Sequence, residues 1–401
     1  MNVRTQIIVD KYIAKPVAYL LNFLVRLVGK LLRINHDLNR DFTRIAVCKF
    51  KGMGSIIQAT PMLEALRKKY PNAEIIFVST KGNRKFLEKI DYIDTIVTVD
   101  DSGFFRFLGS NVKALFYLMR NRPQVYFDLE IYSDYSTLFT LFTFSTNRVG
   151  FYLRSSSFRM GIYTHMMFYN PRVPISNVYL QLAQLLGCKA EGTKLYDLRP
   201  SVFLERDKPY IVVNPNASDL RLERRWGKDN FVSFIKYLLA KHPDYEILLI
   251  GSKSERSYTE TITHEIDDQR LVNTAGETSI DGLIETIAGA RLMISNDTGP
   301  MHIAFCTNTP VVCLFGPCSP NQYGVSENAH IIYKNVYCSP CVHDFEVPPC
   351  KGDNVCMKLI EEIEVRNKVD QLLEHPTNAA PIPGTDFLYR ENDTIFGQVN
   401  R

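Results

Sequence analysis

The chain reads as α/β, with two doubly wound domains facing a cleft, and three observations predict it. After residue 40, apolar runs alternate with amphipathic segments, which implies mostly parallel sheets with helices on both faces. The alternation pauses over a polar bridge, Arg199 to Asp207, and then restarts in a second unit of similar length. At 401 residues the chain is long enough for two domains, each with its own core.

The elements follow in order. Arg44 to Cys48 reads as a strand, Pro61 to Lys69 as a helix behind a Thr60 cap, and Glu74 to Val78 as a strand. Val97 to Val99 is a strand, Ala114 to Arg120 a helix, Val125 to Ile131 a strand, and 177–187 a helix ending at Gly187. In the second unit, Tyr210 to Val213 and Glu246 to Ile250 are strands around a helix over Asn230 to Ala240. A helix over Leu283 to Ala288 leads to a strand at Arg291 to Ile294. A small-residue helix, Met301 to Thr307, and the strand Val311 to Phe315 follow. This divides the chain into 1–40, 41–200, 201–375 and a polar tail, 376–401.

The formal charge of +4 is too small to argue for nucleic acid, and it is unevenly placed. Residues 1–40 carry seven Lys/Arg against Asp10 and Asp37, so the rest of the chain is close to neutral. From Ile13 to Leu32 large apolar residues recur at helical spacing, interrupted by Lys15, Arg26 and Lys30, so no long uncharged span exists. That pattern suits an amphipathic helix lying in an anionic membrane interface; the alternative is a helix packed on the body or on a dimer partner. No secretory signal pattern is present, and the nine cysteines, several in apolar runs, argue against a disulfide framework. A cytoplasmic protein, peripheral on the inner face of the membrane, is the expectation.

The chemistry concentrates in Ser295-Asn296-Asp297-Thr298-Gly299-Pro300-Met301-His302, between a buried strand and a helix. A helix N-terminus offers unpaired N–H groups and partial positive charge to a phosphate. Thr298 adds a hydroxyl, Gly299 allows close approach, and Asp297 is placed to bind a sugar or ribose hydroxyl. The bland alternative is an Asp/Thr cap with a core-facing His302. In the same domain, the turn Asn214-Pro215-Asn216 and the pair Arg224-Arg225 could clamp a diphosphate. The first domain opens with a glycine turn, Gly52-Met53-Gly54-Ser55, which is not a dinucleotide fingerprint. Cys338, Cys341, Cys350 and Cys356, with His343 among them, have the composition of a structural zinc or iron–sulfur site, although only one CxxC knuckle is present. A loop held by packing is the other reading.

Together these pieces resemble glycosyltransferase family 9, the ADP-heptose:lipopolysaccharide heptosyltransferase-like proteins, over about residues 43–370. The resemblance is carried by Asn296 through His302, Thr309-Pro310-Val311-Val312 and Phe315-Gly316-Pro317. Ala59-Thr60-Pro61, Leu66-Arg67, Tyr70-Pro71, Arg225-Trp226 and Asn273 to Gly276 support it. It implies a GT-B fold with the donor on the second domain and the acceptor on the first. It further implies an inverting transfer of a sugar, heptose first among the choices, from a nucleotide diphosphate donor to a lipid-linked glycan such as a lipopolysaccharide core. No metal is needed for that chemistry, because helix dipole and basic side chains offset the charge of the leaving group. Asp297, Thr298, Gly299, His302, Arg224, Asn216 and Gly54 are the implied donor-site residues. The family's heptosyltransferases carry an aspartate, the proposed base, where this chain has Ser55, and a serine hydroxyl is too weak a base to replace it. Asp128, Glu130 and Asp134 are the candidate substitutes, Glu130 or Asp134 ahead of Asp128, with Asp128 and Glu130 expected on one strand face. A non-catalytic nucleotide-sugar or glycan-binding scaffold, and an epimerase on the same fold, are the rival readings.

Overall fold

The structure, a computed structural model, describes residues 12, 14–153, 159–190, 194–201, 206–217, 221–343, 345 and 348–375. Arg4, Lys11 and the tail 376–401 lie outside the described residues. Helix α1 (Lys15–Leu32) begins with Pro16 in its first turn and ends where Arg33 turns left-handed. The first domain then runs β1 (Arg44–Cys48), α2 (Met53–Gln58), α3 (Thr60–Lys69), β2 (Glu74–Thr80), α4 (Arg84–Leu87), β3 (Thr95–Val99) and α5 (Phe104–Asn121). It continues with β4 (Val125–Asp128), α6 (Asp134–Phe142), β5 (Asn147–Tyr152), β6 (His165–Phe168) and α7 (Ile175–Gln184). Its six strands lie in the order β3-β2-β1-β4-β5-β6, every pair parallel.

The second domain repeats the plan. It holds β7 (Tyr210–Asn214), α8 (Lys228–Lys241), β8 (Glu246–Leu249), α9 (Arg256–Thr263), β9 (Leu271–Asn273), α10 (Ile280–Ala288) and β10 (Leu292–Asn296). After these come α11 (Gly299–Thr307), β11 (Val311–Phe315), α12 (Pro320–Tyr323), β12 (Ala329–Tyr333), α13 (Val355–Lys358) and α14 (Glu362–Glu374). The strand order β12-β11-β10-β7-β8-β9 is again parallel throughout. The fold is therefore α/β with two six-stranded Rossmann-like sheets in the GT-B arrangement.

Two departures from the sequence reading have physical causes. The helix expected over Ala114 to Arg120 begins ten residues earlier, at Phe104, because its first half exposes phenylalanines that mask the buried stripe. The strand expected to reach Ile131 stops at Asp128, whose Oδ1 accepts the Glu130 N–H at 2.9 Å and turns the chain out of the sheet. Glu130 and Asp128 thus do not share a strand face.

The largest apolar core is continuous across the two domains. It joins Ile56, Ile57 and Ile175 of the first to Met301, Ile303 and Cys306 of the second. The segment just before the polar bridge is fastened to both sides: the Tyr196 N–H donates to the Thr60 hydroxyl at 3.0 Å, and the Leu198 N–H to the Cys306 carbonyl at 3.0 Å. Each sheet reverses its strand order once, between β1 and β4 and between β7 and β10. In such sheets the crevice beyond the carboxyl ends at the reversal is where ligands bind.

Candidate active site between two sheet reversals

At the second domain's reversal, five short polar side chains lock three loops together. The Asn214 amide, at the end of β7, donates to the Ser295 hydroxyl at 3.0 Å and to the Thr298 hydroxyl at 2.7 Å. Asn296, at the end of β10, donates to the carbonyls of Pro215 and Asn216 at 3.0 Å each and accepts the Trp226 N–H at 3.2 Å. Asn216 in turn donates to the Ile250 carbonyl at 2.7 Å. Asn214 and Asn296 were in the sequence blocks already singled out, but their role as ties between loops is visible only once the strands are adjacent.

Those ties hold Asp297 and Thr298 at the mouth of α11. Thr298 is extended, Pro300 sits in the first turn, and Asn308 closes the helix in the left-handed region. Arg224, at the end of a single 3₁₀ turn, comes to the same place: its Nη1 donates to the Asp297 carbonyl at 3.3 Å and stands 3.4 Å from Oδ2. Asp297 is 3% exposed, yet its Oδ2 receives no hydrogen bond among the described residues, and the buried Nε of Arg224 donates none. Buried polar atoms are normally paired, so this pair is incomplete as it stands.

At the first domain's reversal, β1 ends at Cys48 and the next residue, Lys49, turns inward to meet Glu130. Lys49 Nζ lies 2.7 Å from Oε2, while Oε1 accepts the N–H groups of Phe50 and Lys51 at 2.8 and 3.0 Å. Burial alone would raise the Glu130 carboxyl, but Lys49 and the two amides outweigh it and hold it below the usual range. Both Glu130 oxygens are occupied by the turn that precedes Ser55. Ser55 lies on α2 and hydrogen-bonds the buried phenol of Tyr179. Asp134 is the first residue of α6, just beyond the Ser133 cap.

The two reversals meet through α2 and α11. A Cβ on Gly54 would stand 2.2 Å from the His302 ring, and one on Gly299 would stand 2.9 Å from Met53, so both glycines permit close packing between domains. The Gln58 amide bonds His302 Nδ1 at 3.1 Å. Burial pushes the His302 imidazole down to about 4, against the pull of the Asp297 carboxylate. Gly54 and His302 thus pack on one another in the domain contact.

His343, noted in the sequence only as a neighbour of the cysteines, stands in the cleft. Its ring stacks on Tyr132 of the first domain, with centroids 5.4 Å apart and planes 4° from parallel. Its Nε2 meets the Tyr323 hydroxyl at 3.2 Å. Burial, then Arg224, push its pKa down to about 4, and its electrostatic neighbours include Asp297 and Lys49. No spacing rule could have placed it between those groups.

Cys338, Cys341, Cys350 and Cys356 are free thiols near one another; burial and the other three push Cys341 up to about 11. Among the described residues no three His, Cys, Asp or Glu side chains stand in an arrangement that could hold a metal. The zinc or iron–sulfur expectation therefore finds no formed site among those residues, and no step is assigned to a metal there.

The chain matches the family model for glycosyltransferase family 9 (heptosyltransferase) over residues 181–350, which contain Arg224, the Asp297 turn and three of the clustered cysteines. It is 23% identical over 331 residues to lipooligosaccharide heptosyltransferase 2 of Campylobacter jejuni, covering 81% of this chain and 91% of that protein. It is 30% identical over 135 residues to lipopolysaccharide heptosyltransferase 2 of Escherichia coli, covering 33% of this chain and 38% of that protein. In fold it is similar to the E. coli ADP-heptose LPS heptosyltransferase II (TM-score 0.67, 21% identity, 82% of this chain and 98% of that one). A family 9 glycosyl transferase from Veillonella parvula is equally similar in fold (TM-score 0.67, 19% identity, 85% and 99%). The chain is thus similar to glycosyltransferase family 9 in the sequence of residues 181–350 and in its two-domain fold.

Proposed function

We propose that the protein transfers a heptosyl group, with inversion, from ADP-heptose to a lipid-linked glycan of the lipopolysaccharide or lipooligosaccharide core type. The observation that carries this is the incomplete Asp297–Arg224 pair at the N-terminus of α11. It offers a carboxylate oxygen to a sugar or ribose hydroxyl and a guanidinium N–H to a diphosphate oxygen. Thr298 and Gly299 line the same mouth, and Asn216 fixes the loop beside it. As the glycosidic bond to the diphosphate breaks, Arg224 and the helix N-terminus stabilise the charge that develops on the leaving ADP. The acceptor hydroxyl attacks the anomeric carbon from the opposite face, the side of the first domain.

Glu130 is assigned to holding the first turn, because both its oxygens are engaged. Ser55 orients the acceptor. Proton removal then falls to Asp134 or to His343, and Asp134→Asn and His343→Gln separate the two: whichever carries it lowers kcat about 100-fold or more with KM for the donor little changed. Release of ADP from ADP-heptose, followed by chromatography in the presence of a heptose-accepting core glycolipid, tests the whole reading. Transfer supports it. Donor binding without turnover would favour the second reading, a non-catalytic nucleotide-sugar scaffold, which Ser55 in place of an aspartate favours.

The site of action is proposed to be the cytoplasmic face of the membrane. No helix among the described residues is long and apolar enough to cross a bilayer. Helix α1 packs on the body through Ala18, Leu21 and Val25 and exposes Leu20, Phe23, Leu24, Leu27 and Leu31 on its other side, edged by Lys15 and Lys30. That is the pattern of an interfacial helix. Deleting residues 1–35 should release the protein from anionic vesicles; a truncated chain that still sediments with them contradicts this placement.

A further inference from the structure

Three helices, α5, α6 and α1, form a layer on the first domain, with α6 packed against both of its neighbours. Helix α5 buries Asn111, Ala114 and Leu118. It exposes Phe104, Phe105, Leu108, Val112 and Phe116. At 100° per residue those five side chains fall within about a third of the helix circumference, beside the buried stripe rather than on it. Arg106, Lys113 and Arg120 stand along the far edge of the apolar stripe. Phe142 and Phe144, at the end of α6, are exposed as well.

We propose that α5 is a second membrane-docking element, so that the helix layer as a whole, and not α1 alone, seats the acceptor domain on an anionic bilayer. The inference rests on the interfacial reading of α1. Charge selects the occupant: α1 and α5 together carry six Lys/Arg and no Asp or Glu. Such a face attracts acidic headgroups and repels the same face of a second copy in a two-fold contact. Position agrees, since α5 starts just beyond the carboxyl end of β3, on the edge of the sheet that faces the cleft. A lipid-linked acceptor would then enter beside Phe104 and Phe105.

The test uses the full chain carrying Phe105→Trp and vesicles of phosphatidylglycerol with phosphatidylcholine brominated on the acyl chain. The native Trp226 is buried and serves as an unquenched reference. Emission from position 105 should be quenched, and Phe105→Ser, Leu108→Ser, Val112→Ser and Phe116→Ser together should weaken vesicle partitioning by about 50-fold with the melting curve retained. If position 105 is unquenched while the protein binds vesicles and deletion of 1–35 abolishes binding, the role of α5 is overturned and that of α1 stands. No vesicle binding by the intact chain overturns both. A vesicle-free dimer in sedimentation velocity, dissociated by the four substitutions, overturns the lipid assignment in favour of a second copy.

Discussion

Glu130, Asp297 and His302 show how a side chain's partners decide its work. Glu130 is a carboxylate in the expected region, yet its oxygens are taken by Lys49 and two amides. Glu130→Gln leaves the Lys49 ammonium buried without its counter-charge, and we expect a loss of about 3 kcal/mol in urea unfolding. A Glu130→Gln protein of unchanged stability would mean the pair does not hold the turn. Asp297 is the opposite case, a buried carboxylate with one oxygen still without a hydrogen bond among the described residues. His302 lies in the motif implied for donor binding, and its ring fills the space left by Gly54. The sequence identified all three as positions of interest. It could not separate their roles, because each role depends on a neighbour far along the chain.

At the scale of elements, most strands and three of the second domain's helices were legible, because parallel strands buried on both faces are near-continuous apolar runs. Arg44–Cys48 and Val311–Phe315 form as read. Helix α6 and strands β5 and β6 carried no clear period: α6 is short and rich in Ser and Thr, and β6 is a partly exposed edge strand. The contact of α2 with α11 was not legible either, since a glycine turn reads the same whether it approaches a phosphate or a histidine. Gly54→Ala drives a Cβ into the His302 ring, and we expect a cost of about 1–3 kcal/mol. In a double-mutant cycle with His302→Ala, that cost should fall by more than half; additive costs would deny the contact.

The whole molecule is two Rossmann-like sheets whose order reversals face each other across one continuous apolar core. That arrangement ties stability to pH through His302. Its folded pKa, about 4, is below the unfolded value, so the unfolded chain takes up a proton first as pH falls. Stability should therefore decline between about pH 6.5 and pH 4, by about 2 kcal/mol at pH 5 from this group. A comparison of thermal melts at pH 7 and pH 5 checks it: the acid loss should shrink in His302→Gln, and an equal loss would assign it elsewhere. The incomplete Asp297–Arg224 pair is the proposed seat of the donor. Isothermal titration of ADP-heptose into the full chain and into Asp297→Asn, with melting curves confirming that both are folded, tests it most directly. We expect binding by the wild-type chain and a loss of about 30-fold or more in the variant. Equal affinity in the two proteins would contradict it.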